Sequence, residues 1–114
     1  MRYMLMISLN DDAVLQLEND PALFPRVMAQ HNALQDELRA SGELVDTHEL
    51  LPDDSKIVRT RENEVLVTDG PFTESKEWIA GYYIVDCASI ERATEIAGRL
   101  AETELSLVEV RTIR

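Results

Sequence analysis

The sequence predicts an α+β fold of the ferredoxin-like kind, βαββαβ with an extra β-hairpin and an antiparallel sheet, and three observations carry that prediction. Two segments repeat their apolar residues at helical spacing and are bracketed by cap residues. Strand-like runs rich in β-branched and aromatic residues stand before, between and after them. The resulting order, β-α-β-(β-β)-β-α-β, is two split βαβ units once the central hairpin is set aside. At 114 residues, the chain is long enough to form one domain, 1–114, with a core that needs no staples.

The first strand is RYMLMIS (2–8), where Tyr3, Leu5 and Ile7 oppose Met4 and Met6, so both faces are apolar. LNDDAV reads as a polar connector. DPALFPRVMAQHNALQDELRASG (20–42) then reads as a helix, with Asp20 as N-cap, Pro21 at the first helical position and Gly42 as the stop. Pro25 has to lie in its first turns. Phe24, Val27, Met28, His31, Leu34 and Leu38 form the apolar stripe. ELVDTHEL is the next strand, and SKIVRT and NEVLVT form the hairpin around a polar Arg61-Glu62 turn. WIAGYYIVDC is the longest apolar strand. SIERATEIAGRLA is a helix capped by Ser89, and LSLVEVRTI closes the sheet.

Strands 2–8 and 78–86 are apolar on both faces, yet two helices cover only one face of a sheet. The second face therefore predicts a symmetric homodimer packed sheet to sheet, a ligand, or both.

Composition narrows the function classes. With 22 acidic and 11 basic residues, the formal charge of −11 repels phosphate backbones and anionic membrane surfaces, so no direct nucleic-acid or membrane binding is expected. No run approaches the roughly 18 apolar residues of a membrane span. The N-terminal run reads as a strand and not as a signal peptide, which makes a cytoplasmic protein the default. Cys87, the lone cysteine, allows no intrachain disulfide and reads as a small buried hydrophobe. No HxxxH or HxH spacing joins His31 and His48, and no flavin motif occurs, so neither metal nor cofactor is expected.

His31 lies about 20° from both Phe24 and Leu38 on a helical wheel, inside the apolar stripe. It is either a core imidazole satisfied by one partner or a general acid or base that needs a carboxylate to orient it. His48 reads as a strand-edge residue. In VTDGPFTESKE (67–77), Asp69-Gly70 is a turn pair in which Gly70 is free to take positive φ, and Pro71 stiffens the turn. The connection is far longer than a plain hairpin needs, and loops of this kind on a rigid scaffold carry function. Gly70, Pro71, Phe72 and Lys76 are therefore candidates for the border of a substrate pocket, with Lys76 able to pair with a loop carboxylate or capture an anion. Tyr82 and Tyr83 point to opposite faces, one beneath the helices and one to the second face, where a pocket or dimer core is expected. Tyr83 joins the substrate-binding candidates.

The run DGPFTESKE, after VLVT and before AGYYIVD, resembles the signature of the DGPF group of YCII-related domain proteins. The resemblance extends over essentially the whole chain, through RYMLMI, MAQHNALQDELRASGELV and VEVRTI. Ala80 stands where a second glycine is common. The resemblance implies a ferredoxin-like protomer in a dimeric α/β barrel, and a histidine and an aspartate as a catalytic pair, here His31 and Asp69. Two functional expectations follow. One is a small enzyme doing acid–base chemistry on a small organic acid or lactone. The other is a non-catalytic module that senses a ligand or binds a partner, with an association with sigma factors implied by analogy. A haem or quinol monooxygenase reading rests on the shared barrel alone.

Overall fold

The computed structural model describes residues 1–71 and 76–114. Strand β1 (Arg2–Leu9) leads into helices α1 (Asp11–Asn19) and α2 (Leu23–Ser41), then β2 (Leu44–Glu49). β3 (Lys56–Arg61) and β4 (Glu64–Asp69) follow, then β5 (Trp78–Asp86), α3 (Ile90–Gly98), α4 (Glu102–Leu105) and β6 (Leu107–Thr112). β2, β5, β1 and β6 lie side by side in that order, and every pairing is antiparallel. That is the ferredoxin-like order. β3 and β4 stand apart as a two-stranded ribbon inserted between β2 and β5.

The alternation in β1 and β5 sorts their side chains. Tyr3, Leu5 and Ile7 of β1 and Tyr83 and Val85 of β5 are buried beneath the helices. Leu34 and Leu38 of α2, Ala93, Ile96 and Ala97 of α3, and Leu100 close over them, with Cys87 at the end of the sheet. Each fully buried leucine or isoleucine here contributes about 1.5–3 kcal/mol by leaving water. On the other face Met4, Met6, Tyr82 and Ile84 remain half-buried.

The helix ends follow their caps. Ser89 accepts from the Arg92 amide, and Gly42 ends α2 at φ 80°, where a side chain would be strained. Asn10 accepts from the Ala13 amide and starts α1, with Asp11 and Asp12 in the first turn near the positive end of the helix dipole. The connector expected at 9–14 is thus the start of a helix, and Asp20 is the C-cap of α1 and not the N-cap of α2. Its side chain still accepts from the Ala22 amide, so Asp20 shapes the turn between the two helices. Pro25 fits the first turn of α2, where the missing amide proton has no intrahelical partner to lose.

Two further expectations shift. The ribbon turns at Glu62-Asn63, both with positive φ (51° and 66°), one residue later than the Arg61-Glu62 turn read from the sequence. Gly70 is not in a left-handed conformation. It is small because a Cβ there would lie 2.4 Å from Ser55 Oγ, and its amide donates to Ser55 O at 2.7 Å. The ribbon leaves Val58, Val65 and Val67 about 60% exposed on one face. The Cα radius of gyration, 16.1 Å, exceeds the roughly 13 Å of a compact chain this long.

Candidate active site

A cavity of about 210 Å³ lies between the helices and the sheet. α2 supplies one wall through Val27, Met28 and His31, and α1 adds Leu17. Ile7 and Leu9 of β1, Tyr83 of β5 and Thr47 of β2 form the sheet side, and Glu102 and Leu105 of α4 close one end. Phe24 and Met28 belong to the helical stripe yet stay exposed, because that part of the stripe faces the cavity rather than the packed core.

His31 is central to it. Its Nδ1 lies 2.6 Å from Tyr83 Oη and its Nε2 lies 2.6 Å from Glu102 Oε2. The imidazole stacks beside the Tyr83 ring, with centroids 5.7 Å apart and planes 18° from parallel. Gln35, one turn further along α2, donates from Nε2 to Tyr83 Oη at 3.1 Å. The hydrogen positions follow from what each group can do. An ionised carboxylate only accepts, so Nε2–H donates to Glu102. In the neutral imidazole Nδ1 then accepts, and Tyr83, already accepting from Gln35, donates to it. The chain of donors runs Gln35, Tyr83, His31, with Nε2–H leading on to Glu102.

Burial holds this network in place. Tyr83 is 1% exposed, and burial pushes its phenol above the ordinary value, so it keeps its proton as a donor. Among the described residues Glu102 is the one charged residue that is buried, 9% exposed. Its Oε2 is taken by His31, while its Oε1 is buried and has no hydrogen-bond partner among the described residues. A buried carboxylate oxygen without a partner is costly.

The expected site residues separate. His31 and Tyr83 meet in the cavity, on the helix side of the sheet and not on its second face. Asp69, at the end of β4, is 85% exposed in its side chain and bonds Lys56 Nζ at 2.5 Å. Among the described residues it is not one that lines the cavity. Gly70 packs on Ser55 beside it, Pro71 follows through a cis peptide bond, and Lys76 is exposed. Phe72 lies outside the described residues. Glu102 was missed because it falls between a helix and a strand. The available signal was Leu105 three residues on, which puts both on one face of a helical turn.

The YCII-related domain family model matches residues 1–114. The chain belongs to this family. An uncharacterised protein of Rhizobium meliloti (strain 1021) is 35% identical over 82 residues, 71% of this chain and 66% of that protein. The chain therefore spans slightly less than two thirds of that relative's length.

Two other polar clusters complete the electrostatics of this YCII-related domain. On the second face of the sheet His48 Nε2 lies 3.2 Å from Asp46 Oδ1, and Tyr82 donates to Asp46 Oδ2 at 2.8 Å. That bond raises the Tyr82 phenol above its usual value. Near the start of β2, Arg92 grips Glu43 through Nε and Nη2, both at 2.9 Å, and holds the carboxyl down to about 2. Among the described residues no group of three or more His, Cys, Asp or Glu is placed to hold a metal ion. No helix among them is long and apolar enough to cross a membrane.

Proposed function

We propose that this YCII-related domain, residues 1–114 acting as one unit, performs acid–base chemistry on a small molecule held in the His31 cavity. The observation that carries the reading is an imidazole engaged at both nitrogens, by Tyr83 and by a buried carboxylate, at a cavity of about 210 Å³. Glu102 takes the orienting role that the sequence gave to Asp69. A proton leaving the substrate is taken up by the His31–Glu102 pair, and its return to another substrate atom completes an isomerisation with no net change in protons. Tyr83 fixes the ring, and Gln35 fixes Tyr83.

Assignment to the DGPF group rests on the run at 69–77. The homodimer packed sheet to sheet is supported by the half-buried Met4, Met6, Tyr82 and Ile84 and by the exposed valine face of the ribbon. Asp69 enters this reading only as part of a ribbon that a second copy covers.

The test is solvent exchange into a panel of small carbonyl compounds, hydroxy compounds and lactones in D₂O, followed by NMR. Deuterium incorporation that His31→Ala and Glu102→Gln each remove, with the fold intact by circular dichroism, is the expected outcome. One observation favours a second reading, a module that binds a ligand unchanged: both ring nitrogens already have partners and Tyr83 is closed to solvent. Saturable binding without exchange or turnover would select that reading, and capture of a sigma factor would extend it.

A further inference from the structure

We infer that this cavity holds its ligand by apolar contact, with no ion pair or hydrogen-bond anchor, and that the ligand is a hydrocarbon-like molecule without an ionised group. The inference rests on the cavity being the working site. Of the two substrate classes named above it keeps the lactone and rejects the organic acid.

The polar side chains that line the cavity are already engaged. His31 uses both ring nitrogens, on Tyr83 Oη and on Glu102 Oε2, and Tyr83 Oη also takes the Gln35 amide. Glu102 Oε1 is sealed, so a ligand does not reach it. Gln35 Oε1 accepts from Arg39 Nη2, and Thr47 Oγ1 donates to Tyr82 O at 3.0 Å. His48 and Tyr82 are both held by Asp46. Glu49 is exposed and keeps its water. A polar ligand would exchange one of these bonds for another of the same kind, which gains little.

Apolar surface is what the cavity offers instead. Ile7, Leu17, Val27 and Leu105 line it, together with Phe24 and Met28, which stay 53% and 40% exposed. A ligand that covers these two side chains removes apolar surface from water on both partners. A cavity of 150 Å³ accommodates benzene, so about 210 Å³ takes one such ring with a small substituent.

Charge excludes the other classes. Of the 11 Lys and Arg, none is among the described residues that line the cavity, and residues 72–75 contain none. Arg92 is bound to Glu43, Arg99 to Glu37 and Lys56 to Asp69. A carboxylate entering here would lose its hydration and find no counter-charge, in a chain of net charge −11. An ammonium loses its hydration as well, and the buried carboxylate does not compensate it, since Oε2 is shared with His31 and Oε1 is out of reach.

The experiment titrates the full chain, ¹³C-labelled at methyl groups, with four probes on one ring: toluene, methyl benzoate, benzoate and benzylammonium. Toluene, which has no polar atom, and methyl benzoate should both move the Ile7, Leu17 and Val27 methyl signals, with similar affinities. Benzoate should bind at least about tenfold more weakly than its own methyl ester, and benzylammonium at least about tenfold more weakly than toluene, because the walls do not replace the water an ion gives up. Phe24→Arg, at an exposed position on the cavity, should narrow the gap between benzoate and its ester by about threefold, the effect of one exposed ion pair. An unchanged gap in that variant, once folded, would remove charge as the cause, and the wild-type gap makes the same test should it not fold. Parity of benzoate with its ester, or of benzylammonium with toluene, overturns the ligand class but leaves the cavity as a binding site. Binding of methyl benzoate without binding of toluene overturns apolar contact as the means of holding. No methyl movement with any probe overturns the cavity as the working site and this inference with it.

Discussion

Tyr83→Phe deletes one oxygen from the centre of the network and keeps the ring that packs in the core. The structure sets the magnitude. Tyr83 Oη is bonded to His31 Nδ1 at 2.6 Å and to Gln35 Nε2 at 3.1 Å, so two polar groups lose a partner. A sealed, unpartnered group costs about 1–3 kcal/mol, but Gln35 is half-buried and can turn to water. The His31 side chain is only 12% exposed, so its nitrogen carries most of the loss. The expected destabilisation is about 1–2 kcal/mol. With a urea dependence of about 1.5 kcal/mol/M, the unfolding midpoint falls by about 1 M, compared at a single protein concentration. A second readout separates this network from packing: the His31 Nδ1 ¹⁵N resonance should move towards that of an unbonded acceptor, while Nε2 stays bonded to Glu102. A midpoint unchanged within about 0.3 M, together with unmoved ring nitrogens, would refute the network.

Three further expectations follow from the same geometry. Asp69→Asn should leave the His31 ¹⁵N resonances in place while Glu102→Gln moves them, and the reverse pattern would return the orienting role to Asp69. Leu38→Ala, at a side chain with no exposure, should cost about 2–5 kcal/mol in urea unfolding, and a cost under 1 kcal/mol would mean the α2 face is not packed as described. The Glu43 carboxyl is held at about 2, below its ordinary value of 4.5, by Arg92. A lowered carboxyl stabilises the fold above pH 4.5 and loses that contribution as pH falls towards 2. After allowance for solvent screening the contribution is about 1 kcal/mol. Glu43→Gln should therefore flatten the acid limb of stability between those pH values, and an identical limb would remove Glu43 from the account.

Much of the fold was legible because its signals are local. Period 2 in 2–8 and 78–86, period 3.6 in α2, the Ser89 cap and the Gly42 stop all lie within a few residues of the backbone they shape. The α1 signal was equally local, with Asn10 followed by two aspartates, and reading it as a connector let charge outweigh the cap. The β3–β4 ribbon was legible too, although its turn fell one residue later than read.

Sequence by itself determined which residues alternate and which share a helix face, and hence that Tyr82 and Tyr83 part company. Only the tertiary structure decided which of them lies under the helices, because both faces of β5 are apolar and alternation does not choose between them. It also decided the partners of His31. Tyr83 is 52 residues away and Glu102 is 71 away, and they meet only because β5 pairs beside β1 while α4 folds back on that sheet. Asp69, 38 residues from His31, instead leaves on a ribbon and pairs with Lys56 across it. Propensity acts over a few residues, whereas which carboxylate meets an imidazole depends on strand order and register, which the packing of the whole chain sets.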